Sequence, residues 1–356
     1  MRVGVIGCGY WGSKHVRVLH GLTEVTDIAI VDPRPDRRAA LVHSFGELRA
    51  FSSLEPALEW VDAVIVATPP KTHVAMAIAS IEAGKHALIE KPLATSSADA
   101  RRLIEAAESN GVTLMVGHTF EYNAAVWKLR EAIKTKELGE IHYIDTARLN
   151  LGLYQQDVNV IWDLAPHDVS IIGYLLDSQP ALVQAWGSSH AHAYLEDVAT
   201  LRLEYQDSGI TAQVQVSWLY PCKVRRVTVV GTEKMAIYDD LAQGEPIKIY
   251  DKGVASSSAK SVASAPDGRV QAASDEESLH EMPMSYRYGA IVAPYIAAEE
   301  PLAVQDRHFL ECICERKRPL TDGIDGLGVI QVLEAAELSL RKGHPVPVGD
   351  NPAQVR

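Results

Sequence analysis

Arg2-Val3-Gly4-Val5-Ile6-Gly7-Cys8-Gly9-Tyr10-Trp11-Gly12 opens the chain with a β-branched run followed by glycines in the spacing G-x-G-x-x-G. The run predicts a strand, and residues 13–20 carry the apolar spacing of a helix. A strand passing into a helix through such a turn is the phosphate-cradling unit of a dinucleotide site. Each glycine answers a separate need. Gly7 permits the tight turn, Gly9 lets the backbone approach a pyrophosphate, and Gly12 lets helix and strand pack closely. The free N–H groups at Tyr10 and Trp11, with the helix dipole, then face the phosphates. Asp32 closes the next strand, where a carboxylate can accept hydrogen bonds from the ribose hydroxyls. That favours NAD over NADP, whose 2′-phosphate would meet like charge. Arg34 beside it could stack on adenine or tolerate such a phosphate.

Outward from this turn, short apolar runs at 3–6, 27–31, 63–67, 87–89 and 113–116 alternate with amphipathic segments at 13–20, 37–44, 73–83 and 97–110. Ser96 or Ser97 reads as an N-cap, Gly84 and Gly111 as helix stops. This alternation predicts a doubly wound parallel sheet, a Rossmann domain over residues 1–118. The pattern then changes. Residues 121–135 and 162–176 read as helices. Runs at 181–188, 198–205, 210–217, 225–230 and 236–238 read as successive strands joined by turns such as Gln206-Asp207-Ser208-Gly209. Residues 119–356 are therefore expected to form an α+β domain with a large, mostly antiparallel open sheet. Residues 253–277, rich in Ser, Ala, Asp and Gly, read as a loop insertion. The final helices, near 301–315 and 324–341, could pack on either domain.

At 356 residues, two domains are the natural prior. A net charge of −12 argues against an electrostatic grip on nucleic acid or anionic lipid, and the clusters Arg37-Arg38 and Arg316-Lys317-Arg318 are short. Cysteines at 8, 222, 312 and 314 make no zinc spacing and suit a reducing compartment. With no signal-peptide pattern and no apolar run approaching the roughly 20 residues a bilayer requires, a cytoplasmic protein is expected.

Four stretches carry a resemblance to the glucose–fructose oxidoreductase / inositol dehydrogenase / rhizopine-catabolism (Gfo/Idh/MocA) family. They are the 7–12 turn, the loop Ala67-Thr68-Pro69-Pro70-Lys71-Thr72-His73, the tripeptide Glu90-Lys91-Pro92, and Trp162-Asp163-Leu164-Ala165-Pro166-His167-Asp168. The resemblance implies an NAD-dependent dehydrogenase acting on CH–OH donors. Thr68, Pro69, Pro70 and His73 would line the nicotinamide side of the cleft. Glu90 and Lys91 would sit at the carboxyl end of a strand, with Pro92 after a cis peptide bond and Lys91 reaching the reacting hydroxyl and the nicotinamide ribose. Asp163 and His167, four apart, share one face of a helix. A hydride leaves a carbinol carbon only as the hydroxyl loses its proton, and imidazole suits that base role. His167 is expected as the base with Lys91 assisting. Asp163 would orient His167 or touch the substrate itself. A zinc reading of Asp163, His167 and Asp168 is set aside, since His167 and Asp168 point apart on a helix; no metal is expected.

The implied substrate is a secondary alcohol of a sugar, nucleotide sugar or cyclitol. Candidate contacts are Tyr122, Asn123, Arg148, Tyr154, Asn159 and Trp162, because amides and phenols read hydroxyls and aromatic rings stack on sugar faces. The 150–162 stretch is similar to family members acting at C3 of hexopyranosides, especially UDP-N-acetylglucosamine-type sugars. An inositol or polyol dehydrogenase, an NAD-dependent glycoside hydrolase and a non-enzymatic dinucleotide-binding regulator are the alternatives. A homo-oligomer, dimer or tetramer, through the exposed face of the second sheet is expected.

Overall fold

The computed structural model describes residues 1–152, 154, 155, 158–191, 193–256 and 284–349. The first part is a six-stranded parallel sheet built from β1 (Arg2–Ile6), β2 (Asp27–Val31), β3 (Arg49–Phe51), β4 (Ala63–Val66), β5 (His86–Glu90) and β6 (Leu114–Gly117). Its order is β3-β2-β1-β4-β5-β6, so the winding direction reverses between β1 and β4. Helices α1 (Tyr10–His20), α2 (Pro35–Phe45), the short α3 (Glu55–Leu58), α4 (Pro70–Glu82) and α5 (Ser97–Asn110) make the crossovers. Covered on both faces, β1, β4 and β5 are apolar nearly throughout rather than alternating. The capping expectations hold: Ser96 Oγ accepts from the Asp99 N–H, and Gly84 and Gly111 take positive φ.

The chain then makes a 3₁₀ turn, Thr119–Tyr122, followed by α6 (Ala124–Lys134), β7 (Ile141–Leu149) and α7 (Val160–Leu176). After these come β8 (Leu182–Ser188), β9 (Val198–Tyr205), β10 (Ile210–Ser217), β11 (Val224–Gly231), β12 (Met235–Asp239), β13 (Ile247–Ser256) and β14 (Met284–Val292). Helices α8 (Pro301–Glu315) and α9 (Gly323–Lys342) and the two-residue β15 (Val346–Pro347) complete the chain. The second sheet has nine strands in the order β14-β13-β12-β11-β7-β10-β9-β8-β15 and is antiparallel except where β7 lies beside β10. α7 and α9 pack against it, α9 also touches α5, and α8 lies on α1. No helix among the described residues is long and apolar enough to cross a membrane.

Several elements differ from the sequence-based expectation. The 121–135 helix is broken at Asn123, whose side-chain oxygen accepts from the Ala125 N–H and starts α6 afresh. β7 was not expected, yet it is the central partner of both β10 and β11. β3, a short and largely exposed edge strand, was also not expected. Residues 253–256 extend β13 instead of opening a loop. The remainder of the 253–277 insertion, and residues 153, 156 and 157 of the 150–162 stretch, lie outside the described residues.

Candidate active site

The glycine turn has the form that dinucleotide binding requires. Gly7 takes φ +94, and a Cβ there would sit 2.6 Å from the Ala67 carbonyl oxygen. At Gly12 a Cβ would fall 1.7 Å from the Gly7 carbonyl oxygen, so only glycine lets α1 start this close to β1. Gly9 faces open space, its nearest neighbour being Arg37 Nη1 at 3.7 Å from a Cβ. Gly9 is also the N-cap of α1, with no side-chain cap and no acidic residue in the first turn. The leading N–H groups are thus unclaimed by side chains and open toward a ligand, which fits a pyrophosphate. Asp32 is buried, and its oxygens accept from the Cys8 N–H and the Arg34 N–H, each at 2.9 Å. The carboxylate therefore braces the turn and retains lone pairs for a ribose. Arg34 is exposed and paired with Asp36.

Where the winding reverses between β1 and β4, the loops after the two strands leave to opposite faces of the sheet and open a crevice at the carboxyl ends, the usual ligand position in such sheets. Pro69 and Pro70 start α4, and Pro70 occupies a position where the missing N–H costs nothing. His73 is buried with Nδ1 2.8 Å from the Pro92 oxygen and Nε2 2.8 Å from the Thr68 oxygen. It ties the loop after β4 to the loop after β5 and does not face the cleft freely. The Lys91–Pro92 peptide is cis, as expected.

Glu90, at the end of β5, lines a cleft of about 360 Å³ together with Tyr10, Trp11, Phe120, Asn123 and His167. One Glu90 oxygen lies 2.9 Å from His15 Nε2, and the other accepts from the Lys91 N–H at 3.2 Å. His15 Nδ1 lies 2.9 Å from Asp306 on α8. Both ring nitrogens face carboxylates inside the protein. Burial pulls the imidazole toward neutrality, but Asp306 and Glu90 outweigh it and lift the pKa to about 10. A buried imidazolium thus fixes the residue preceding Lys91.

Lys91 reaches across to α7. Its Nζ donates to the Asp163 carbonyl oxygen at 2.9 Å and lies 3.9 Å from Asp163 Oδ1. Asp163 Oδ2 accepts from Trp218 Nε1 at 2.9 Å. One turn on, His167 sits edge-on to Phe120, with ring centroids 5.2 Å apart. The helix does place Asp163 and His167 on a common side, but among the described residues Asp163 makes its side-chain hydrogen bond to Trp218 and none to His167. Burial, reinforced by Lys91, Arg148 and Arg225, holds His167 well below the ordinary imidazole value. Burial also lowers Lys91, opposed by Asp163 and Glu90.

The remaining substrate candidates divide. Asn123 lines the cleft, its Nδ2 donating to the Tyr238 hydroxyl at 3.0 Å. Tyr154 packs beside Trp218 with its hydroxyl unpartnered. Tyr122 is a correction: its ring is buried and its hydroxyl pairs with Thr321, because the 3₁₀ turn directs it into the core. Asn159 caps α7 by accepting from the Trp162 N–H and donates to Glu196, and Trp162 is buried in the core. Arg148 is buried on β7 in a two-point pair with Asp168, at 2.7 and 3.3 Å. Sequence reasoning missed Trp218, Phe120, His15 and Arg225. A larger cavity of about 910 Å³ lies at the other end of the parallel sheet, near His86 and Leu114, away from the strand ends that bind ligands.

Residues 1–118 match the GFO/IDH/MocA model described as an oxidoreductase family with an NAD-binding Rossmann fold, and residues 126–237 match that family's C-terminal domain. The chain belongs to this oxidoreductase family. UDP-N-acetylglucosamine 3-dehydrogenase of Acidithiobacillus ferrooxidans is 28% identical over 347 residues, 96% of this chain and 99% of that protein. An inositol 2-dehydrogenase of Acidiphilium cryptum is 32% identical over 259 residues, covering 67% of this chain and 74% of its own length. GenD2 from gentamicin A biosynthesis, solved in complex with NAD, superimposes with a TM-score of 0.78 at 26% identity, covering 98% of this chain and 97% of that one. The family match and the uncapped glycine turn agree on NAD as the cofactor of this oxidoreductase.

Proposed function

We propose that the protein oxidises a secondary alcohol of a sugar or nucleotide sugar, C3 of a hexopyranoside being favoured, or runs the reverse reduction. The observation that carries this reading is the Lys91–Asp163 contact one helical turn from His167, which lines a cleft together with Tyr10 and Trp11 of the glycine turn. The full-length likeness to the UDP-N-acetylglucosamine 3-dehydrogenase supports the substrate class.

The bound nicotinamide supplies the hydride acceptor. The chain's own residues manage the proton. His167, kept unprotonated by burial and by neighbouring cations, has a free ring nitrogen to take the hydroxyl proton as the carbon–oxygen double bond forms, although the same surroundings weaken it as a base. Lys91, anchored on the Asp163 carbonyl, donates a hydrogen bond to the same oxygen and stabilises its developing negative charge. Asp163, fixed by Trp218, keeps a carboxylate beside the Lys91 ammonium.

Residues 119–356 would carry the substrate side and self-associate through the open face of the second sheet. That face exposes Tyr143, Trp186 and Tyr288. Absorbance of NADH should rise when the protein and NAD meet UDP-N-acetylglucosamine or a related hexopyranoside in a panel that includes inositols and aryl glycosides. Turnover of inositols alone would move the assignment to a polyol dehydrogenase. Glycoside cleavage without net NADH would move it to a hydrolase.

A further inference from the structure

We infer that Arg225, with Arg148 packed behind it, forms a subsite for an oxyanion substituent of the substrate, a sugar carboxylate or a phosphate, on the sheet wall of the cleft. The inference rests on the sugar-oxidation reading and adds a charge requirement to it.

β7 and β11 pair antiparallel, and their register sets Arg148 directly opposite Arg225. Side chains so placed stand on one face as close neighbours, and two like charges there repel. The local carboxylates do not fully answer both cations. Asp168 engages Nε and Nη2 of Arg148, leaving Nη1 buried without a partner. Arg225 has Asp240 at 3.7 Å, beyond hydrogen-bond length, and Asp240 already accepts from the Tyr238 hydroxyl at 2.8 Å. Asp163 is engaged by Trp218 and Lys91. The Arg225 guanidinium is therefore left without a hydrogen-bonded carboxylate among the described residues, and Arg148 beside it adds a second, buried cation.

Position gives that guanidinium a use. Arg225 lines the same cleft as His167, Phe120 and Asn123. The Arg148 guanidinium lies 4.6 Å over the Phe120 ring, which fixes its plane beside that cleft. Burial and the neighbouring Arg148 both act against the Arg225 charge, a cost that an incoming anion would relieve. Planar guanidinium forks match carboxylate and phosphate oxygens two at a time, which an ammonium cannot do. A neutral hydroxymethyl oxygen could accept one hydrogen bond from Arg225 but brings neither the charge nor the second oxygen of a carboxylate or phosphate.

Calorimetric titration of the NADH-loaded protein, a dead-end complex in which no alcohol is oxidised, tests this with two matched pairs. N-acetylglucosamine against its 6-carboxylate, the uronate, reads a sugar carboxylate. N-acetylglucosamine against its 1-phosphate reads a phosphate. The acidic member of at least one pair should bind tenfold or more tightly, and Arg225→Gln should erase that preference without weakening the neutral member. Arg225→Lys, which keeps the charge but loses the fork, should retain only part of it. Equal binding within both pairs, or an Arg225→Gln loss shared by neutral and acidic members, would overturn the subsite. Because the readout is affinity, a failure of sugar oxidation in the NADH assay would register separately.

Discussion

The two walls of the cleft are built in opposite ways. The cofactor side centres on one uninterrupted stretch, residues 2–12, whose work is done by backbone: a positive φ at Gly7, the absent Cβ of Gly12, uncapped N–H groups at the head of α1, with the Asp32 carboxylate as its side-chain complement. The opposite wall is assembled from side chains far apart in the chain. His167 of α7 and Arg225 of β11 line the cleft, and Lys91, from just past β5, reaches Asp163 of α7, which Trp218 from just beyond β10 holds. A backbone device admits almost no substitution and is indifferent to what is oxidised. A side-chain device can be retuned one residue at a time while the cofactor site stays as it is. The buried His15 imidazolium links the two, since α1 carries it and it holds the Glu90 carboxylate at the foot of Lys91.

That contrast can be broken most severely at Gly12. A Gly12→Ala side chain would fall 1.7 Å from a backbone oxygen that cannot swing away. NAD binding should drop below detection in a fluorescence titration, and the melting temperature should fall as well, since overpacking of a tight site costs about 1–3 kcal/mol or more. Affinity within a few-fold of wild type would show that the turn is not the cradle described. The effect at Asp32 should be smaller and selective. Hydrogen bonds to charged groups contribute about 1.5–3 kcal/mol each. Asp32→Ala should therefore weaken NAD by about tenfold or more in the same titration and NADP by less, because the lost carboxylate also repels a 2′-phosphate. An unchanged NAD-to-NADP ratio would confine Asp32 to bracing Cys8.

The same contrast explains what the amino-acid sequence discloses. The Rossmann sheet is legible because its strands are apolar runs and its glycines answer local backbone geometry. Lys91, Asp163 and His167 stand out only through resemblance to a family, since nothing within residues 91–167 says that β5 and α7 meet. β7 was hidden because its inward positions include Thr146 and Arg148, whose burial is made tolerable by distant partners such as Asp168. Arg225 sits in the pair Arg225-Arg226, which reads as a solvated strand face until the register with β7 is known. Tyr122 misled in the other direction. A phenol near a motif suits a sugar, yet the 3₁₀ turn points it at Thr321.

The central claim is that the side-chain wall performs the chemistry while the glycine wall only holds the cofactor. Cofactor titration and single-turnover NADH formation, measured on the same preparations of His167→Ala and Lys91→Ala with a substrate found in the panel, test it most directly. The account predicts NAD affinity within about threefold of wild type and hydride transfer slower by about 10²–10⁴-fold, the range general acid–base groups supply. Hydride transfer near the wild-type rate in His167→Ala would remove the imidazole from the reaction and contradict the account.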